Sequence, residues 1–97
     1  MIPAYKHIPP FIDFGFGLTT LTVPLNKNIT VWLNTIYNKE AYNFNLASQG
    51  AASVNTISVY EYQLKYTQTG TYHISLTVTA KDATASLESN ILTLTVV

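Results

Sequence analysis

The stretch from Tyr66 to Ala80, reading YTQTGTYHISLTVTA, limits the possible folds of this chain more than any other. Tyr72, Ile74, Leu76, Val78 and Ala80 fall on one parity, and Thr71, His73, Ser75, Thr77 and Thr79 on the other. Side chains alternate across a pleated strand, so this pattern means one buried face and one wet face. Gly70 supplies the conformational freedom that a turn before such a strand requires. A strand with one long apolar face must be covered by a second layer, which points to packed sheets.

The rest of the chain has the same period. Leu21, Val23 and Leu25 alternate with Thr20, Thr22 and Pro24, and Asn26-Lys27-Asn28 signals a turn. Ile29, Val31 and Leu33, with Tyr37 beyond them, form the inward set of the next strand. Tyr42, Phe44 and Leu46 alternate with Asn43 and Asn45, and Ser48–Ser53 is a loop of small residues. Ile57 and Val59 lie in one phase, whereas Tyr60, Tyr62, Leu64 and Tyr66 lie in the other. That shift predicts a bulge or a strand that changes sheets. Residues 81–90 read as a loop or a loose hairpin, and Leu92, Leu94 and Val96 as the last strand. No helical period occurs, so the expected class is all-β.

The phrase Tyr66-x-x-x-Gly70-x-Tyr72-x-Ile74-x-Leu76-x-Val78 resembles the closing half of polycystic-kidney-disease-type (PKD-like) domains of the immunoglobulin-like class. The resemblance implies a single antiparallel β-sandwich and a tyrosine corner, in which the Tyr72 hydroxyl bonds back to upstream backbone. It covers residues 60–97, and more weakly Tyr42-Asn43-Phe44. The Gly-Asp-Gly turn of PKD-like domains is missing, and so is the cysteine pair of antibody domains, so the resemblance implies no ligand or metal site.

The first seventeen residues differ. Pro3, Pro9 and Pro10 disfavour helix and central strand. Residues 1–17 therefore read as an extended, apolar N-terminal arm, and residues 18–97 as the sandwich. Two readings of the arm stand side by side: a first edge strand of its own sandwich, or a segment that docks on a neighbouring subunit. Phe14-Gly15-Phe16-Gly17 lacks the third glycine of a dinucleotide loop and is followed by no helix, so it reads as a bend between arm and body. Trp32 also has two readings. It faces out, or lies under the arm, if Ile29, Val31 and Leu33 face in; a slipped phase would bury it.

Several function classes are disfavoured. Five lysines balance five carboxylates and there is no arginine, which gives no electrostatic footprint for nucleic acid or anionic membrane. His7 and His73 have no serine and carboxylate at a telling spacing, and the acidic residues are scattered, so neither a catalytic constellation nor a metal or other cofactor site is expected. Asn28-Ile29-Thr30 matches a glycosylation sequon, idle in a bacterial or cytosolic setting. Only 10% of residues are charged, against roughly 25% in an average domain. A nearly neutral surface protects poorly against association, which favours life within an assembly.

The expectation is a non-enzymatic accessory subunit, in its specific form an auxiliary or decoration protein on a bacteriophage capsid. Its partner would be the shell protein, met through Tyr5, Ile8, Phe11 and Trp32. The residues after Met1 show no basic segment followed by an apolar run, which fits a virion protein made in the host cytoplasm. The alternative is a secreted or surface-anchored bacterial module for adhesion or carbohydrate binding, with Trp32 or the tyrosines of 60–66 as a stacking platform.

Overall fold

The computed structural model describes residues 9–82 and 85–97. Nine strands follow one another without a helix among the described residues. They are β1 (Ile12–Asp13), β2 (Thr20–Val23), β3 (Asn28–Leu33), β4 (Tyr42–Ala47), β5 (Ser53–Ser58), β6 (Glu61–Lys65), β7 (Gly70–Ala80), β8 (Ser86–Glu88) and β9 (Leu92–Val96). One sheet has the order β1-β3-β6-β5, and the other β2-β9-β7-β4 with β8 also on β7. The chain is an immunoglobulin-like β-sandwich. All pairs are antiparallel except β2–β9, which run parallel.

The core follows the period of two. Ile74, Leu76 and Val78 are fully buried, with Val31 and Leu64 from the facing sheet and Leu92 and Leu94 beside them. Ile29, Val31, Leu33 and Tyr37 are buried as their phase requires. The phase shift before Tyr60 has a different cause from a change of sheet. Val59-Tyr60 is the two-residue turn of the β5–β6 hairpin, and a register shift between Thr56 and Ser58 accompanies it. Neither turn residue has positive φ. Without the Asn or Gly of the favoured hairpin turns, the sequence carries no local signal for it.

The first strand of the sandwich starts earlier than Leu18. Ile12 and Asp13, assigned to the arm by sequence, pair with Leu33 and Trp32 as an edge strand. Ile12 belongs to the core. Beyond Asp13 the chain crosses to the other sheet, where β2 pairs with β9.

Asn90 fixes that crossing. Three steps along β7, from Ile74 to Thr77, are matched by four on the neighbouring chain, from Glu88 to Leu92. This bulge turns residues 89–91 out of register, and bulges re-aim side chains. Ser89 replaces the lost ladder: its N–H donates to Leu76 O (2.9 Å), and its Oγ accepts from Leu76 N (2.8 Å). The Asn90 amide then reaches Ile12 in the opposite sheet. Its Oδ1 accepts from Ile12 N and its Nδ2 donates to Ile12 O, both at 2.8 Å. One side chain thus satisfies both backbone groups of a buried residue.

Tyrosines tie the loops down. The Tyr72 hydroxyl donates to Gln68 O (2.8 Å), closing a tyrosine corner, although its ring is half-buried. Gly50 permits this: with φ of 90°, an added Cβ would sit 2.6 Å from Tyr72 Cε1. Tyr60 donates to Tyr37 O (2.8 Å), and Tyr62 to Val59 O (2.8 Å). Tyr66 stacks on Tyr72 with ring centroids 4.3 Å apart. Its own hydroxyl is buried and has no hydrogen-bond partner among the described residues.

Two predictions follow from these contacts. Asn90→Ala leaves both Ile12 backbone groups unpaired and should cost about 2–4 kcal/mol in urea unfolding. Asn90→Asp keeps the acceptor but loses the donor, so its cost at neutral pH should also be clear. The second concerns alkali. Burial, and secondarily Tyr42 and Tyr72, push the Tyr37 and Tyr66 phenols up to about 12, and burial raises Tyr62 as well. The unfolded chain releases these protons near the usual value of about 10, so across that window it binds fewer protons than the folded chain. Stability should therefore hold below about pH 10 and fall as pH rises towards 12. Tyr66→Phe should make this fall shallower at no cost near pH 7, whereas Tyr72→Phe should lose about 0.5–1.5 kcal/mol.

Candidate functional site

The turn that carries the chain from β1 to β2 is built around Asp13. The carboxylate is buried, and it accepts from Gly15 N (3.0 Å) and Gly17 N (2.8 Å). Phe14 N donates to Leu18 O (2.8 Å), and Leu18 N to Gly15 O (3.0 Å). Within this frame Gly15, Phe16 and Gly17 all have positive φ, at 110°, 53° and 78°. Glycine adopts such angles freely, but for phenylalanine the left-handed region costs about 1–2 kcal/mol. Phe16 gains nothing in return from burial, since its side chain is 106% exposed.

Trp32 lies opposite Asp13 in the β1–β3 ladder. The β3 phase that buries Ile29, Val31 and Leu33 turns Trp32 outward, so of its two readings the outward one holds; it is 39% exposed. Its indole edge lies along Gly15, where an added Cβ would meet Nε1 at 3.8 Å. Asp13, Gly15, Phe16, Trp32 and Asn34 line a shallow groove of about 310 Å³.

Phe11 completes the surface. Its N–H donates to Thr35 Oγ1, and its carbonyl accepts from Asn34 N, both at 2.9 Å, which extends the ladder past Ile12. Alternation about the inward Ile12 and Leu33 sets Phe11 and Trp32 on the same outer face, at diagonal positions. Phe11 is 41% exposed. Of the four residues singled out by sequence, the structure brings these two together, while Tyr5 and Ile8 lie outside the described residues. The sequence places Phe16 in a bend between arm and body. Its position between two glycines was the available signal, because two flexible neighbours let a bulky residue be presented in an unusual conformation.

The tyrosines at 60–66 form no platform. Tyr62 and Tyr66 are buried and Tyr60 is half-buried, with its hydroxyl engaged on Tyr37. A second depression, of about 340 Å³, lies at the tyrosine corner and is lined by Gln49, Gly50, Thr71, Tyr72 and His73. No carboxylate lines it. Among the described residues no three of His, Cys, Asp or Glu are grouped to hold a metal. The aromatic groove offers area for stacking and desolvation; its one carboxylate is already engaged by two amides.

No protein-family model matches the chain, and no curated protein sequence does. Its fold is similar to the fibronectin(III)-like modules of Clostridium thermocellum CbhA, with a TM-score of 0.63 and 13% identity over 88% of this chain and 93% of that one. It is also similar to part of the endo-β-1,4-mannanase of Thermotoga petrophila, with a TM-score of 0.55 and 6% identity over 98% of this chain and 21% of that one. At these identities the likeness concerns the sandwich alone.

Removal of the Asp13 carboxylate should release the turn. Asp13→Ala is expected to cost about 2–4 kcal/mol, since two charge-assisted bonds are lost. The only tryptophan reports on it directly: Trp32 emission should shift to the red and become more easily quenched by iodide.

Proposed function

We propose that this chain is a non-enzymatic accessory module that binds a protein partner in a larger assembly through Phe11, Phe16 and Trp32. The observation that carries the reading is Phe16, a strained and wholly exposed aromatic beside the half-exposed Trp32. Strain and exposure both work against folding, and such features cluster where a surface is used. Aromatic anchors of this kind dominate binding energy, whereas the surrounding contacts mainly exclude water. Three side chains of about 150–250 Å² each make an anchor, not a whole interface of roughly 1,200–2,000 Å². The specific form we favour is a decoration protein on a bacteriophage capsid, with the shell protein as partner. The small number of charges supports a contact of this apolar type.

A second reading rests on Trp32 itself. An exposed indole beside Asn34 over a shallow groove also suits a sugar ring, and one structure of similar fold belongs to an endo-β-1,4-mannanase. The chain would then be a carbohydrate-associated module.

Particles from the source phage, washed at high salt and examined by mass spectrometry, test the first reading. The chain should remain in many copies, because an apolar contact is insensitive to screening. Phe16→Ala and Trp32→Ala should each reduce retention at least about tenfold, with the melting temperature preserved in Phe16→Ala and lowered in Trp32→Ala, whose ring also packs along Gly15. Absence from washed particles, with Trp32 emission shifting on addition of β-mannan oligosaccharides, would replace that reading with the second.

A further inference from the structure

The opposite edge of the same sheet carries an independent feature. β5 ends the order β1-β3-β6-β5, and among the described residues no strand pairs with its outer side. All six of its residues are exposed. Val54 and Thr56 stand opposite the core residues Leu64 and Tyr62, so they lie on the inner side of the sheet. Yet Val54 remains 49% exposed, because the second sheet does not extend over it. β4, at one edge of the other sheet, differs: its inward residues Tyr42, Phe44 and Leu46 pack against the core.

Exposed edges are normally protected by lysine, proline, brevity, an inward charge or a bulge that twists the edge away. SVNTIS has no charge and no proline, and it is as long as an average strand. A bulge between Thr56 and Ser58 interrupts one end, and at the other Ala52 N bonds Lys65 O out of register beside Ser53, which leaves Ser53–Thr56 as the regular stretch with Val54 its one apolar residue. A two-fold axis at that residue sets the one apolar side chain of the segment against its own copy.

We infer that β5 pairs antiparallel with β5 of a second copy about a two-fold axis at Val54, joining two four-stranded sheets into one of eight. In this register Val54 meets Val54, and Ser53 meets Asn55. Directly opposed residues keep the same face, so the two valines cover each other on the inner side. The charges beside the edge favour this direction. Lys65 flanks Ser53 and Glu61 flanks Ser58, so antiparallel pairing carries the lysine end of one copy towards the glutamate end of the other. Parallel pairing would set lysine beside lysine. The separation exceeds a Debye length at physiological salt, so this preference for direction is felt at low ionic strength and adds little affinity. An isologous contact of this kind closes on itself as a dimer. Its small area makes it weak, and it becomes effective where copies are held close together.

Sedimentation velocity of the full chain from roughly 10 μM to 1 mM tests the inference, in the range where small contacts associate. A reversible monomer–dimer equilibrium is expected, with β5 amides slowed in hydrogen exchange as the dimer fills. Val54→Lys places like charges on the axis and should raise the dissociation constant at least about tenfold, with an unchanged melting temperature. Ile91→Lys, on an apolar residue equally open to solvent but away from β5, should leave the dimer intact. Trp32→Ala should also leave it intact, which separates this contact from the aromatic site. A monomer throughout the range, a dimer indifferent to Val54→Lys, or one lost equally in Ile91→Lys would overturn the inference.

Discussion

The contact between Asn90 and Ile12 ties the two sheets of this sandwich together at the point where the first strand divides between them. β1 belongs to one sheet and β2 to the other, so the chain must leave its first ladder before it enters the second. An edge residue as deeply buried as Ile12 has no water to satisfy its backbone, and an unmade bond there is costly. The Asn90 amide meets that need because it carries a donor and an acceptor in the spacing of a peptide group. It can do so only because the bulge after β8 swings it out of the β7 ladder, while Ser89 takes over the bonds to Leu76. Bulge, hydroxyl and amide act as one unit.

The tyrosines complete a second level of organisation. A short chain without cysteine depends on packing for its stability, and loop ends are where packing is thinnest. Tyr60, Tyr62 and Tyr72 place apolar rings against the sandwich and use their hydroxyls to hold backbone carbonyls in the loops. Tyr66 is the exception, with its phenol buried and unpartnered among the described residues. Its ring packing against Tyr72 outweighs that local deficit, which indicates that area rather than hydrogen bonding fixes this residue.

The candidate site draws on the same scaffold. Asp13 is carried by β1, which Asn90 holds in place, and Asp13 in turn holds the Gly15–Gly17 turn that presents Phe16. Trp32 is fixed by the β3 register. The aromatic surface therefore stands on a rigid ladder although its tip is strained, so little of it is left to be ordered. The open edge of β5 lies at the far side of the same sheet. One sheet thus carries two separate surfaces with different chemistry.

The sequence by itself determined the all-β class, the strands with an unbroken alternation, and the inward sets on β3, β4, β7 and β9. A period of two is a local property, and each strand writes its own. It also marked Trp32, which falls out of phase with buried neighbours, and Phe11, as an apolar residue of the proline-rich N-terminal stretch. What only the tertiary structure decided were the relations between distant segments. That Ile12 and Asp13 join the sandwich depends on Asn90, 78 residues away along the chain. The turn at Val59-Tyr60 has no turn residues to announce it, since the pairing of β5 with β6 imposes it. Phe16 became a site residue once the Asp13 carboxylate had folded the surrounding glycines. Local alternation fixes which face of a strand is buried; which strands meet, and which surfaces remain open, is settled by long-range packing.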